Sequence, residues 1–81
     1  MRPNSWNSPI TVEDPETGIR RTVRTTRQAK VMLDRFWPAY HGSQYVRAEK
    51  TCDDALHDNA GPADVKKAFI AAAIEAHLHL S

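Results

Sequence analysis

Asp64 to Leu80 reads DVKKAFIAAAIEAHLHL, and this stretch decides the fold. It is the longest periodic run in the chain. The other candidate elements are too short to hold a shape without a surface to pack on. Alanine is the best helix former. Five alanines lie from Ala68 to Ala76, and no proline or glycine follows Pro62. Gly61-Pro62 marks the entry: glycine is tolerated at an N-cap, and proline at the first helical position lacks an N–H that would have no partner. Asp64 in the first turn and His77 and His79 in the last match the helix dipole. The spacing predicts a helix over 64–80.

At about 100° per residue, Val65, Phe69, Ala72, Ala73, Ala76 and Leu80 fall on one arc, widened by Ile70 and His77. Lys66 falls inside that arc, its stem expected along the core edge. Lys67, Ala71, Glu75 and Leu78 lie opposite. An alanine stripe lets a second helix approach closely, so this helix is the packing platform.

Working outward, the chain has 81 residues, one cysteine, 41% hydrophobic and 26% charged content. That fits one small globular domain rather than a disordered chain. A lone Cys52 excludes an internal disulfide framework and suits a reducing cytoplasm. The opening MRPNSWNSP holds no apolar run, so a signal peptide is not expected, and no stretch is long enough to span a membrane. Residues 1–8 read as a flexible tail, with Trp6 able to tuck against the fold, and residues 9–81 as a single domain.

Ile10 to Glu13 alternates apolar and polar, as a half-buried strand does. Asp14-Pro15-Glu16-Thr17-Gly18 is a turn, since proline fixes φ and glycine allows φ > 0. Ile19 to Arg24 alternates again, with Ile19, Arg21 and Val23 on one side. Together they read as a β-hairpin, with Arg21 at an edge or facing an acidic partner. Thr25 and Gln28 have the spacing of a capping box. The helix they open runs to about Trp37, turns Ala29, Met32, Leu33 and Phe36 inward and leaves Val31 on the polar side. Pro38 ends it. Ser43 is placed to cap a second helix to about His57, with Tyr45, Ala48, Cys52, Ala55 and Leu56 inside. Asp58-Asn59 closes it, Asn59 being the expected left-handed residue. The fold class is α+β: an N-terminal two-stranded β-hairpin packed on three α-helices, in the order β-β-α-α-α.

The pattern Arg21-x-Val23-x-Thr25, then Ala29, Leu33, Trp37-Pro38, Gly42, Tyr45, Ala48, Cys52, Ala55-Leu56, and finally Ala68-Phe69-Ile70, Ala72 and Glu75-Ala76, resembles the domain of unknown function 982 family of small bacterial proteins. The resemblance covers about residues 9 to 76. It implies a compact α+β domain of the bacterial cytoplasm. It carries over no chemistry and no catalytic residue.

Net charge is +1, but its distribution is uneven. Arg20 to Arg35 holds six positive residues and one negative, a local +5; Glu49 to Asp64 holds five negative and one positive, a local −4. Arg20, Arg21, Arg24 and Arg27 are the candidate contacts for a phosphate or a partner, and nucleic acid is one possible ligand. The plainer reading is a solvated face, because no aromatic residue interleaves the arginines. Trp37, Tyr40, His41 and Tyr45 could line a small-ligand pocket, or merely close the end of a small core. Asp53 and His57, four apart, could share one ion, whereas His77 and His79 diverge; no metal site and no cofactor is implied. Cys52 lies mid-helix on the inner stripe, beside carboxylates that raise a thiol pKa, and reads as a small buried hydrophobe. No nucleophile–base pair or phosphate loop is evident. The expected function is a non-enzymatic cytoplasmic interaction module, engaging an unknown protein partner or a second copy of itself as a homodimer, because the core is small and the hairpin has free edges.

Overall fold

The computed structural model describes residues 5–80. The order is β1 (Ser5–Glu13), β2 (Arg20–Thr25), α1 (Thr26–Arg35), α2 (Ser43–Leu56), α3 (Pro62–Glu75) and β3 (His79–Leu80). The α+β class and the hairpin followed by three helices stand as the sequence has them.

Asp14 to Gly18 closes the hairpin. Gly18 sits at φ 74°, its N–H donates to the Asp14 carbonyl at 2.7 Å, and the Asp14 carboxylate accepts from the Glu16 N–H at 2.9 Å. β1 and β2 pair antiparallel with Ile10 opposite Val23 and Val12 opposite Arg21. Ile10, Val12 and Val23 point into the core.

Residues 5–8, expected in the tail, belong to β1; residues 1–4 lie outside the described residues. The register shifts between Ser5 and Ile10, where Pro9 cannot donate to a ladder. Beyond that irregularity Trp6 is buried, its ring set edge-on to Phe69 at 5.7 Å.

Four sequence expectations change at element ends. α3 stops at Glu75 rather than near Leu80. His77 adopts φ 61°, the Leu78 N–H donates to the Ala73 carbonyl at 3.0 Å and the His77 N–H to that of Ile74 at 3.1 Å. This is the paired C-terminal closure usually built on glycine. The chain reverses, Leu78 goes into the core instead of solvent, and His79-Leu80 pairs with Val12 and Glu13. The sheet is three-stranded, ordered β2-β1-β3. α2 ends by the same closure, with Asp58 rather than Asn59 left-handed, at φ 61°. Its N-cap is Gly42, not Ser43. α1 ends before Phe36, which is 47% exposed rather than inside; Leu56 is exposed as well.

α2 and α3 pack along alanines: Ala48, Ala55, Ala68, Ala72 and Ala73 are all buried. Phe69, at 0% exposure, stands between two indoles, with Trp37 edge-on at 5.4 Å on its other contact. Replacing Phe69 with Ala is expected to cost roughly 3–5 kcal/mol in urea denaturation. A loss below about 1 kcal/mol, as for a surface site, contradicts this packing.

Candidate functional site

The four arginines of the candidate contact surface sit where the sheet ends. Among the described residues β2 has no strand on its outer side, so Arg20, Arg21 and Arg24 lie on a sheet edge, and Arg27 follows in the first turn of α1. Their roles separate. Arg20 Nε donates to the Glu13 carboxylate at 2.8 Å across the hairpin. Among the described residues Arg21 meets no acidic group; its guanidinium lies over the Phe36 ring, 3.7 Å from the centroid, a cation–π contact. Among the described residues Arg24 and Arg27 have no ion-pair partner.

A groove of about 360 Å³ runs beside these residues, lined by Arg21, Thr22, Val23, Arg27, Gln28, Val31, Met32 and Phe36. Three consecutive strand residues line it, so it follows the edge of β2 rather than one face. Its lining is mostly apolar and includes the two arginines Arg21 and Arg27. On the other side of the Arg21–Phe36 stack is a smaller hollow of about 110 Å³, reached by Ile19, Met32 and Leu78. Ile19, Val31 and Phe36 are 52%, 43% and 47% exposed. Sequence reasoning found the arginines but missed these apolar neighbours. Val31 on the polar side of α1 was the signal; Phe36 was hidden because the helix ends one residue before it.

Local sequence fixes how α1 enters this site. The Gln28 N–H donates to Thr25 Oγ1 at 3.2 Å. The Gln28 side chain accepts from the Arg24 N–H at 2.7 Å, one residue earlier than in a standard capping box. The pair ties the end of β2 to the first turn of α1.

Lys30, counted with the basic stretch, faces inward. It meets Glu49 at 2.8 Å, Asp53 at 3.2 Å and Asp34 at 3.7 Å. Its ammonium is held well above the ordinary lysine range, chiefly by the Glu49 hydrogen bond. Glu49 is itself shifted upward, because burial outweighs the help it gets from Lys30. One cation serves three carboxylates, so it holds its proton firmly while the carboxylates compete. Tyr45 joins the cluster: its hydroxyl donates to the Leu33 carbonyl at 2.9 Å and lies 3.3 Å from Glu49 Oε2. Burial, then Glu49, pushes that phenol up.

The aromatic turn comes together in part. His41 stacks on Tyr45 at 3.9 Å, and Trp37 tilts against Tyr45 at 6.2 Å. Tyr40 is 62% exposed and apart. Trp37 turns toward Phe69, and neither its indole N–H nor that of Trp6 meets an acceptor on the described residues. The two grooves beside β2 are lined by other residues.

Cys52 is fully buried, and burial followed by Glu49 pushes its thiol up to about 12. His57 Nδ1 lies 2.7 Å from the Asp53 carbonyl. Among the described residues no group of three or more His, Cys, Asp or Glu could hold a metal ion, and no helix is long and apolar enough to cross a membrane.

Residues 8–80 match the model of the family described as protein of unknown function (DUF982). The chain belongs to this family. No curated protein and no solved structure matches it. For this DUF982 chain, then, the site rests on its own geometry.

Two outcomes test that geometry. Lys30→Met strands three carboxylates. The pair is about a quarter exposed, so the expected loss near pH 7 is about 1–3 kcal/mol, less than for a fully buried pair. Glu49 is already shifted upward by burial and loses the opposing pull of Lys30, so it binds its proton more readily in the folded state and the loss shrinks toward about pH 4. Equal losses at both pH values in urea titrations would show that packing, not charge, is what Lys30 supplies. Cys52 in the folded protein should react with a thiol reagent only as fast as the chain unfolds; labelling within minutes contradicts its placement.

Proposed function

We propose that this DUF982 domain is a small non-enzymatic interaction module of the cytoplasm. Its docking face is the outer edge of β2 with the groove between β2 and α1. The observation that carries the reading is the coincidence of an open strand edge with exposed Val31 and Phe36 around one groove, and with exposed Ile19 in the smaller hollow that shares Arg21 and Phe36 with it. An unpaired edge is a template for an added strand, and binding sites concentrate energy in aromatic and arginine anchors such as Phe36 and Arg21. The other edge of the hairpin is less open than the sequence suggests, because β3 covers Val12 and Glu13.

A non-enzymatic role is supported by Cys52, whose buried thiol with its raised pKa is the opposite of a reactive nucleophile. The single unpaired cysteine supports the cytoplasm. Nucleic-acid binding is less favoured, because Arg20 and Lys30 are already engaged by carboxylates, which leaves fewer charges for phosphates. A small ligand at the Trp37–Tyr45 turn is less favoured than a core rim, since His41, Tyr45, Trp37 and Phe69 fill that end with one another.

The test places a photo-crosslinking amino acid at Phe36 and, as a control, at Val46 of α2, which is the more exposed of the two. Discrete adducts from Phe36 and none from Val46 are expected in cells that make the protein. Adduct mass separates a second copy from another protein. No adduct at Phe36, with the variant folded, rejects the module.

A further inference from the structure

Resting on the interaction-module reading, we propose that the segment received by the β2 edge is an acidic, extended peptide of another protein, alternating carboxylate and apolar residues, and not a second copy of β2. Two features of the edge select this occupant. The first is charge. β2 reads RRTVRT, and Arg27 follows on α1 beside the same groove. Of these four arginines only Arg20 has an ion-pair partner among the described residues. An antiparallel copy of β2 overlapping all of its residues sets Arg21 opposite Arg24 at both ends of the seam. Shifted by one residue in one direction, it sets Arg20 opposite Arg24; shifted in the other, it sets Arg24 opposite Thr22 and Arg21 opposite Thr25. Like charges directly opposite destabilise a strand pair, which disfavours two of these three registers, and all three crowd Arg20, Arg21 and Arg24 of both copies along one seam, so charge opposes the homodimer expected from the openness of the edge alone. The same arginines complement a carboxylate-bearing strand.

The second feature is the alternation of surface beside the edge. The groove is lined by apolar Val23, Val31, Met32 and Phe36 together with Arg21 and Arg27. Side chains of an added strand alternate between faces. One set then enters the apolar groove, and the other meets Arg20 and Arg24, the residues of β2 that alternate with Arg21 and Val23. A phosphate backbone would use the arginines and leave the apolar lining and the strand's hydrogen-bonding groups unused, so a peptide fits more of the site than nucleic acid does.

The experiment titrates the isotope-labelled full chain with a short peptide alternating Glu and Val, its Lys/Val counterpart, and a Glu/Val peptide N-methylated at alternate residues. At low salt the Glu/Val peptide should shift the amides of Arg20 to Thr25. It should bind about tenfold tighter than Lys/Val, as expected of several exposed charge pairs acting together. N-methylation, which removes the backbone donors, should abolish binding, and Arg24→Glu with Arg27→Glu should reverse the preference between the two peptides. Equal binding of both peptides, binding unaffected by N-methylation, or tighter binding of a single-stranded oligonucleotide overturns the acidic strand. So do β2 shifts that depend on protein concentration alone, which mark self-pairing. In that case the Phe36 crosslink persists as a self-adduct and the module reading survives. No binding together with no Phe36 crosslink removes both.

Discussion

Phe69 is the point on which this small domain turns. A chain of this length has little stability to spare, and its core has few large side chains. Phe69 contacts Trp6 from the first strand and Trp37 from the segment after α1. It thereby joins the two ends of the chain's first half to the helix that closes its second. Neither indole N–H finds an acceptor on the described residues, so ring packing holds these elements rather than hydrogen bonding. The alanines around Phe69 do the complementary work. They put methyl-sized side chains at most of the buried positions of α2 and α3, beside Cys52 and Val65.

The last turn of α3 links this core to the rest. Glu75 accepts from the backbone N–H groups of Gln44 at 3.1 Å and Tyr45 at 3.2 Å. It caps the start of α2, whose own N-cap, Gly42, has no side chain to offer. A Cβ at Gly42 would collide with the Glu75 carboxylate, so this glycine is there for close approach rather than for an unusual φ. Two residues on, His77 reverses the chain, and Leu78 and β3 fall into place. One helix end therefore caps a neighbour, seals the core and covers part of one sheet edge. The opposite edge, β2, is left bare.

Charge is divided on the same plan. Lys30 is drawn into the α1–α2 interface by Glu49, Asp53 and Asp34, and Arg20 is held by Glu13. Arg21 and Arg27 remain beside exposed Val31 and Phe36, and Arg24 has no ion-pair partner among the described residues. A basic stretch that looks uniform in sequence becomes two different things, a clasp to α2 at Lys30 and an open edge along β2 and the first turn of α1.

Periodicity by itself determined the hairpin, the three helices and most of the core. Val65, Phe69, Ala72 and Ala73 repeat at the helical period, and Ile10, Val12 and Val23 sit at alternate strand positions; local sterics and burial act at that range. The Thr25–Gln28 cap and the Gly18 turn were legible for the same reason. Tertiary structure alone decided the ends. His77 and Asp58 adopt a left-handed conformation that neither glycine nor asparagine announced, and carbonyls of the preceding turn stabilise it. Glu75 reaches a helix about 30 residues away in the chain, and Trp6 is buried because Phe69 offers it a face. The candidate site divides likewise. Its arginines were visible as a charge run, but Phe36, Val31 and the strand edge form one surface only once the strand order is fixed. That order depends on long-range pairing, which local sequence does not encode.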